Sequence, residues 1–288
     1  MKIFHLTWST VGRQPAFPDE AQRRAMLHAL AGAAGRNMVL FALVDDHVHL
    51  VVIVDPVNRF RVQGALTKVL NHRSATPFGV PNVKPVESRE HMKRLVGYLL
   101  TQNEHHGIPG DPATLTGSCF ADLAGARRIP GMALRIGAAL PRFRTREAYA
   151  VVGLADELTP ATDEQVRGLG PHRLADFVAQ TFAVGPALLG NTPTTARARR
   201  VCVRLGVDVG MRAADMALPL GITATAAARL AKRAVDDADL CAVRLRITLE
   251  FAAAGRPRRP NIVREADRPV YQPRPTDTPP ASRSPSSS

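Results

Sequence analysis

Cysteine is scarce. Cys119, Cys202 and Cys241 are the only three, far apart and in no C-x-x-C pair, which excludes a disulfide framework and a cysteine-based zinc finger. Lysine is scarce beside arginine: Lys2, Lys68, Lys84, Lys93 and Lys232 are the only lysines among 38 basic residues. Arginine suits bidentate contacts to phosphate and guanine, although the codons of a GC-rich genome produce the same bias. No apolar run is long enough to span a bilayer, and the opening residues MKIFHLTWSTVGR lack the apolar core of a signal peptide. No Gly-rich Lys-Ser/Thr loop occurs, which argues against an ATPase. The expectation is a reduced, cytoplasmic protein without a membrane partner.

What the chain does have is positive charge. Over 288 residues the formal net charge is +13, the pI is about 10.8, and 45% of residues are hydrophobic, enough for a normal packed core. A balance that basic calls for a polyanionic partner, and with no membrane segment that partner is expected to be nucleic acid.

Hydrophobic patterning divides the chain. KIFHLTWST, NMVLFALV and HVHLVVIV read as strands, and VKPVES as an edge strand, since Pro85 removes a ladder donor. Asp45-Asp46 lies between the second and third strands, as in a hairpin or bulged turn. Helices are expected from Pro18 to Ala34, from Phe60 to Ser74 and from Glu90 to His105. This β-α-β-β-α-β-α order predicts an α+β unit over 1–125, an antiparallel sheet with helices on one face. A linker is expected over 126–168, an all-helical unit over 169–255 and a disordered Pro/Ser-rich tail over 256–288.

Two constellations carry chemistry. In His47-Val48-His49 the imidazoles are two residues apart on a strand, so both take the same face and can reach one metal ion. The same pattern arises from two histidines on a solvated sheet face. In EHMKRLVGYLLTQNEH, the residues Met92, Leu95, Val96, Leu99 and Leu100 form an apolar stripe, while His91, Arg94, Tyr98, Gln102 and His105 form another. Tyr98 then stands one turn from Gln102, a nucleophile beside a carboxamide ligand. An amphipathic tyrosine with its hydroxyl in water gives the same spacing. Of the three tyrosines, Tyr149 lies in no clear helix and Tyr271 in the expected tail.

VDDHVHLVV, YLLTQNEHHGI and the opening FHLTWSTVGRQPAF together resemble the HUH single-tyrosine transposases, a family that includes REP-associated tyrosine transposases and small insertion-sequence transposases. The resemblance covers about residues 1–125. Asp45-Asp46 stands where many members have Pro-Asn, and Gln102-Asn103 where REP-associated members often have Asn-Pro. The resemblance implies a ferredoxin-like, RRM-like sheet bearing the site. It implies His47, His49 and Gln102 as ligands of Mg²⁺ or Mn²⁺, and Tyr98 as the nucleophile that forms a 5′-phosphotyrosine on single-stranded or hairpin DNA. His5, Lys68, Arg73 and Arg94 are candidate DNA contacts. Members include monomers and swapped homodimers, and the setting implied is the bacterial nucleoid.

ADMALPLGITATAAARLAKRA fits a helix-turn-helix. Ala217 is small where helices meet, Gly221 supplies a positive φ, and Thr223 caps the next helix. Ala227 and Leu230 are expected inward, with Thr225, Ala226, Arg229 and Arg233 outward toward a duplex. Pro219 is expected to shorten the first helix. With the basic run Arg197, Arg199, Arg200 and Arg204, the stretch is similar to the C-terminal DNA-binding domain of the bacterial replication initiator DnaA. The sequence thus points to a DNA strand transferase with a duplex-binding module. The alternatives are a domesticated repeat-binding regulator and a metal-binding, RNA-interacting protein on the same sheet.

Overall fold

The computed structural model describes residues 1–154 and 158–256. The expected tail, Tyr271 included, lies outside the described residues apart from Arg256. The fold is α+β. The four strands are β1 (Lys2–Ser9), β2 (Met38–Leu43), β3 (His47–Val54) and β4 (Asn82–Pro85). They form one sheet in the order β2-β3-β1-β4, with every pairing antiparallel. β4 is an edge strand, the position in which Pro85 is tolerated. Asp45-Asp46 makes the tight turn between β2 and β3, closed by the Val44 N–H donating to the His47 carbonyl at 2.9 Å.

Strand alternation sorts the side chains. Phe4, Leu6 and Trp8 of β1 pair with Val52, Leu50 and Val48 of β3 and share one face. That face is covered by α1 (Glu20–Ala34) and α2 (Arg59–Arg73). Asp19 caps α1 by accepting from the Gln22 N–H at 2.8 Å. Helix α1 buries Met26, Leu27, Leu30, Ala31 and Ala34 at helical spacing. The Trp8 indole N–H donates to the Thr67 hydroxyl of α2 at 2.9 Å, satisfying the one polar atom of a fully buried ring.

The remaining helical layer departs from the expectation of helices on one face. Helix α3 (Arg89–Leu100) lies over the opposite face, where Met92, Leu95, Val96, Leu99 and Leu100 are buried. The reason is in β3, which is buried along its whole length. A strand buried on both sides needs a covering layer on each. Short helices α4 (Gln102–His105), α5 (Phe120–Leu123) and α6 (Ile136–Ala139) follow, then α7 (Thr145–Val152), which packs on α3. Between them the chain returns to the β2 edge, where the Leu43 N–H donates to the Gly117 carbonyl at 2.9 Å. A Cβ at position 117 would collide with the Leu43 carbonyl, so only glycine fits there.

The expected linker is a second correction. Ala126, Ile129, Leu140, Ala148, Tyr149, Val152 and Leu154 are buried in the same core as the sheet. Turns and four-residue helices carry no long periodicity, so this packing leaves little trace in the sequence. Ala161 and Val166 already belong to a separate helical core. That core is built by α8 (Asp163–Thr181, broken at Gly170), α9 (Pro193–Asp208), α10 (Ala213–Ala217), α11 (Ala224–Ala231) and α12 (Asp237–Ala254). Between α11 and α12 the helix is interrupted before Asp236, whose carboxylate caps α12.

Polar contacts fasten the two cores together. Asp239 of α12, 1% exposed, accepts from Arg197 of α9 at 2.6 and 2.8 Å and from Arg128 of the first core at 3.1 Å. Arg246, also buried, donates to the Thr114 carbonyl at 2.8 Å and pairs with Glu250 at 2.5 Å. Leu249 of α12 sits in the first core. Removing one partner from such a cluster strands charge, which costs about 3–5 kcal/mol for a buried pair. Both guanidinium groups on Asp239 are about one-third exposed. Asp239→Ala is therefore expected at the low end, about 3 kcal/mol, read by urea denaturation. Cys241→Ser, at an exposed position of the same helix, is expected to leave the midpoint unchanged.

Candidate functional site

The face under α3 carries the polar residues of the two central strands. Thr7 pairs with His49 and Ser9 with His47, while His5 lies diagonal to His49, opposite Val51. His47 and His49 are only 4% and 3% exposed, so they do not sit on a solvated face. The His49 Nδ1 lies 3.1 Å from both the Thr7 hydroxyl and the His5 Nε2. The His5 and His49 rings are stacked, with centroids 5.2 Å apart. On the other side of the ring, the His49 Nε2 is buried and has no hydrogen-bond partner.

Helix α3 does not run unbroken to His105 as its periodicity predicts. It stops at Thr101 (φ −109°, ψ 14°), and α4 begins at Gln102. The Thr101 hydroxyl bonds back to the Gly97 carbonyl at 3.0 Å, a local contact that competes with helix continuation. Gln102, the first residue after the break, is 3% exposed. Its Nε2 donates to the Tyr98 carbonyl at 3.1 Å, while its Oε1 is buried without a partner. Tyr98 is 40% exposed. Its ring stands edge-on to His49 at 5.5 Å between centroids, with His105 5.9 Å away. Tyr98, His47, His49 and Gln102 therefore meet on one side of the sheet within one chain.

Two members of the cluster escaped the sequence reading. Asp46 bonds the His47 Nδ1 at 2.5 Å and pairs with Arg13 at 3.1 Å. His106, just past α4, stands edge-on to His47 with centroids 4.5 Å apart. Asp46 was legible as a carboxylate next to the first histidine; His106 lies in a loop without periodicity.

Burial controls protonation here. Desolvation, reinforced by the charges of Lys84 and His91, holds His5 down to about 4. Desolvation, then the proximity of His47, His5 and His106, holds His49 well below the ordinary histidine range; Gln102 opposes this weakly. His106 is likewise held to about 4, first by desolvation and then by His47. Burial alone would raise Asp46, but the His47 hydrogen bond and the charges of His47 and Arg13 bring it below the usual carboxylate value. The depressed imidazoles are neutral at pH 7, the form in which nitrogen offers a lone pair to a cation. Among the described residues no group of three His, Cys, Asp or Glu side chains is arranged to hold a metal. A cation site here rests on two imidazoles and a carboxamide oxygen, and the unpartnered His49 Nε2 and Gln102 Oε1 fit that donor set.

The expected DNA contacts are scattered. Arg94 is exposed on α3, one turn before Tyr98. His5 is drawn into the site beside His49. Lys68 and Arg73 are exposed on α2, on the far side of the sheet from Tyr98, because Val69, Leu66 and Leu70 turn that helix toward the Trp8 face. They do not join the site. In the helical unit, Gly221 adopts φ 59° and ψ 34°, and Thr223 caps α11 by accepting from the Ala226 N–H at 3.1 Å. Pro219 falls in a 3-10 turn after α10 ends at Ala217. Ala227 is buried, while Thr225, Arg229 and Arg233 are exposed on or just past α11. The basic run on α9 is largely used internally. Arg197 binds Asp239, Arg199 donates to the Gly190 carbonyl, and Arg204 pairs with Asp208. The Arg200 side chain makes no hydrogen bond or ion pair among the described residues.

Comparison with family models, with curated proteins and with solved structures finds no match to this chain.

The buried imidazoles make stability depend on pH. Their folded pKa values lie below the unfolded value of about 6.5, so the unfolded chain binds more protons between about pH 4 and 6.5. Stability is then expected to fall as pH drops through that window, and Asp46 extends the loss at its acidic end. Urea midpoints in EDTA at pH 7.5, 6 and 5 should decrease in that order, with a shallower decline in His5→Gln. A flat profile would mean that the imidazoles are not desolvated in the folded chain.

Proposed function

We propose that this protein is a DNA strand transferase of the HUH single-tyrosine kind, acting on single-stranded or hairpin DNA, with a duplex-binding helical module. The observation that carries the reading is the convergence of two buried atoms, His49 Nε2 and Gln102 Oε1, neither in a hydrogen bond of normal geometry, beside His47 and close to the Tyr98 ring. A buried polar atom without a partner needs an explanation, and a bound ion is one. A divalent ion such as Mg²⁺ or Mn²⁺, held by His47, His49 and Gln102, would polarise the scissile phosphate. The strand order β2-β3-β1-β4, in a chain running β-α-β-β-α-β, supports a ferredoxin-like sheet as the platform.

The residues of this chain supply the rest. Tyr98 is exposed enough to meet a strand laid across α3, and Arg94 on the same helix surface offers a phosphate contact. The phenol loses its proton and its oxygen attacks phosphorus. A bond forms between Tyr98 and the 5′-phosphate, the bond to the 3′ oxygen breaks, and that oxygen leaves as a hydroxyl after taking up a proton. The covalent link conserves the bond energy, so a second 3′-hydroxyl can reverse the step without ATP. Tyr98 stands over the histidines of its own chain, so a monomer suffices for a complete site and a homodimer is compatible. Gly221 in the left-handed region and the capped α11 support a helix-turn-helix, with Thr225, Arg229 and Arg233 facing a duplex groove. This reading puts the protein in the bacterial cytoplasm, on the nucleoid.

Incubation with single-stranded hairpin DNA and Mn²⁺, followed by a denaturing gel, is expected to give a protein–DNA adduct that Tyr98→Phe abolishes. Duplex binding with no adduct across a broad hairpin library would instead identify a repeat-binding regulator. The double substitution Arg229→Ala/Arg233→Ala is expected to weaken duplex binding about tenfold or more and to flatten its salt dependence, while leaving the hairpin adduct intact. Unchanged duplex affinity would remove α11 from the interface.

A further inference from the structure

We propose that Asp46 is a positioning residue that fixes the tautomer of His47 and so presents the His47 Nε2 to a divalent cation; the cation half of this statement rests on the reading above. The Asp46 Oδ1 lies 2.5 Å from the His47 Nδ1. A carboxylate only accepts, so the shared hydrogen belongs to Nδ1 and the lone pair is left on Nε2. The carboxylate is itself held. Arg13 reaches its other oxygen at 3.1 Å and also donates to Ser9, the cross-strand partner of His47, at 3.3 Å. The Asp46 carbonyl accepts from the Thr10 N–H at 2.9 Å, while the Thr10 hydroxyl donates to the Gln14 carbonyl at 2.6 Å. The tip of the β2–β3 turn is thereby tied to the end of β1, and the imidazole next to it cannot rotate freely.

His49 also has its Nδ1 engaged, by the Thr7 hydroxyl and the His5 Nε2, each of which can donate or accept, and its Nε2 is buried. Both imidazoles therefore have Nδ1 engaged, the arrangement in which an outer partner orients a ligand ring and raises its basicity. The neighbouring Asp45 takes no part. Its carboxylate binds Arg23 of α1 at 2.6 Å, on the other side of the turn. Two adjacent aspartates thus divide into one that holds the helix and one that holds the ligand.

The test uses the full chain in EDTA and then with Mn²⁺ alone. Nitrogen-15 chemical shifts of the His47 ring should report the Nδ1–H tautomer in the wild type and in Asp45→Asn. A mixture or the Nε2–H form is expected in Asp46→Ala. Mn²⁺ affinity, followed by the free-ion electron paramagnetic resonance signal, is expected to fall about 10–100-fold in Asp46→Ala. Asp46→Asn, whose amide oxygen still accepts the Nδ1 hydrogen, is expected to keep the tautomer and recover part of the affinity. An Nε2–H tautomer in the wild type, or an unchanged tautomer and affinity in Asp46→Ala, would overturn the assignment. The tautomer is read without metal or DNA, so absence of a Tyr98 adduct would defeat the strand-transfer reading without deciding this one.

Discussion

The antiparallel pairing of β1 with β3 is the constraint on which the molecule depends. Placing Thr7 opposite His49 and Trp8 opposite Val48 commits alternate residues of both strands to opposite layers. A slip of one residue would send either the imidazoles of β3 into the apolar layer under α1 and α2 or Trp8 of β1 into the polar one. The register is secured from the apolar side, where Phe4, Leu6, Trp8, Val48, Leu50 and Val52 are buried and the Trp8 indole is bound to α2. Packing on one face thus positions the chemistry on the other.

That chemistry is arranged against the preference of its own residues. Imidazoles, a carboxamide and a carboxylate are gathered under a helix, where desolvation keeps His5 and His49 neutral. Several of their polar atoms find partners in Thr7, Asp46 and the Tyr98 carbonyl, while the fully buried His49 Nε2 and Gln102 Oε1 have none. A structure selected for stability alone would fill such a position with apolar side chains.

The helical unit is not a loosely tethered attachment. Asp239 gathers Arg128 and Arg197 from different cores, and Arg246 reaches back to the loop at Thr114. These contacts consume several arginines whose number, read from composition, suggested a DNA-binding surface. Among the exposed cations that no ion pair holds, Arg94 lies near Tyr98, and Arg229, Lys232 and Arg233 lie on or just past α11. Net charge alone is a statement about partners at a distance and does not say which guanidinium meets them.

The sequence by itself determined what is periodic or sterically local. It determined the four strands, the pairing of His47 and His49 on one strand face, the apolar stripe of α3, the left-handed glycine at Gly221 and the cap at Thr223. Each depends on residues within a turn or two of one another. Tertiary structure decided the rest. It buried the imidazoles, brought in His5 from 44 residues away and His106 from a loop, set Lys68 and Arg73 on the far side, and folded 126–154 into the first core. Alternation tells which face a side chain takes, but what covers that face is set by contacts between segments whose separation in the chain leaves no repeating pattern to read.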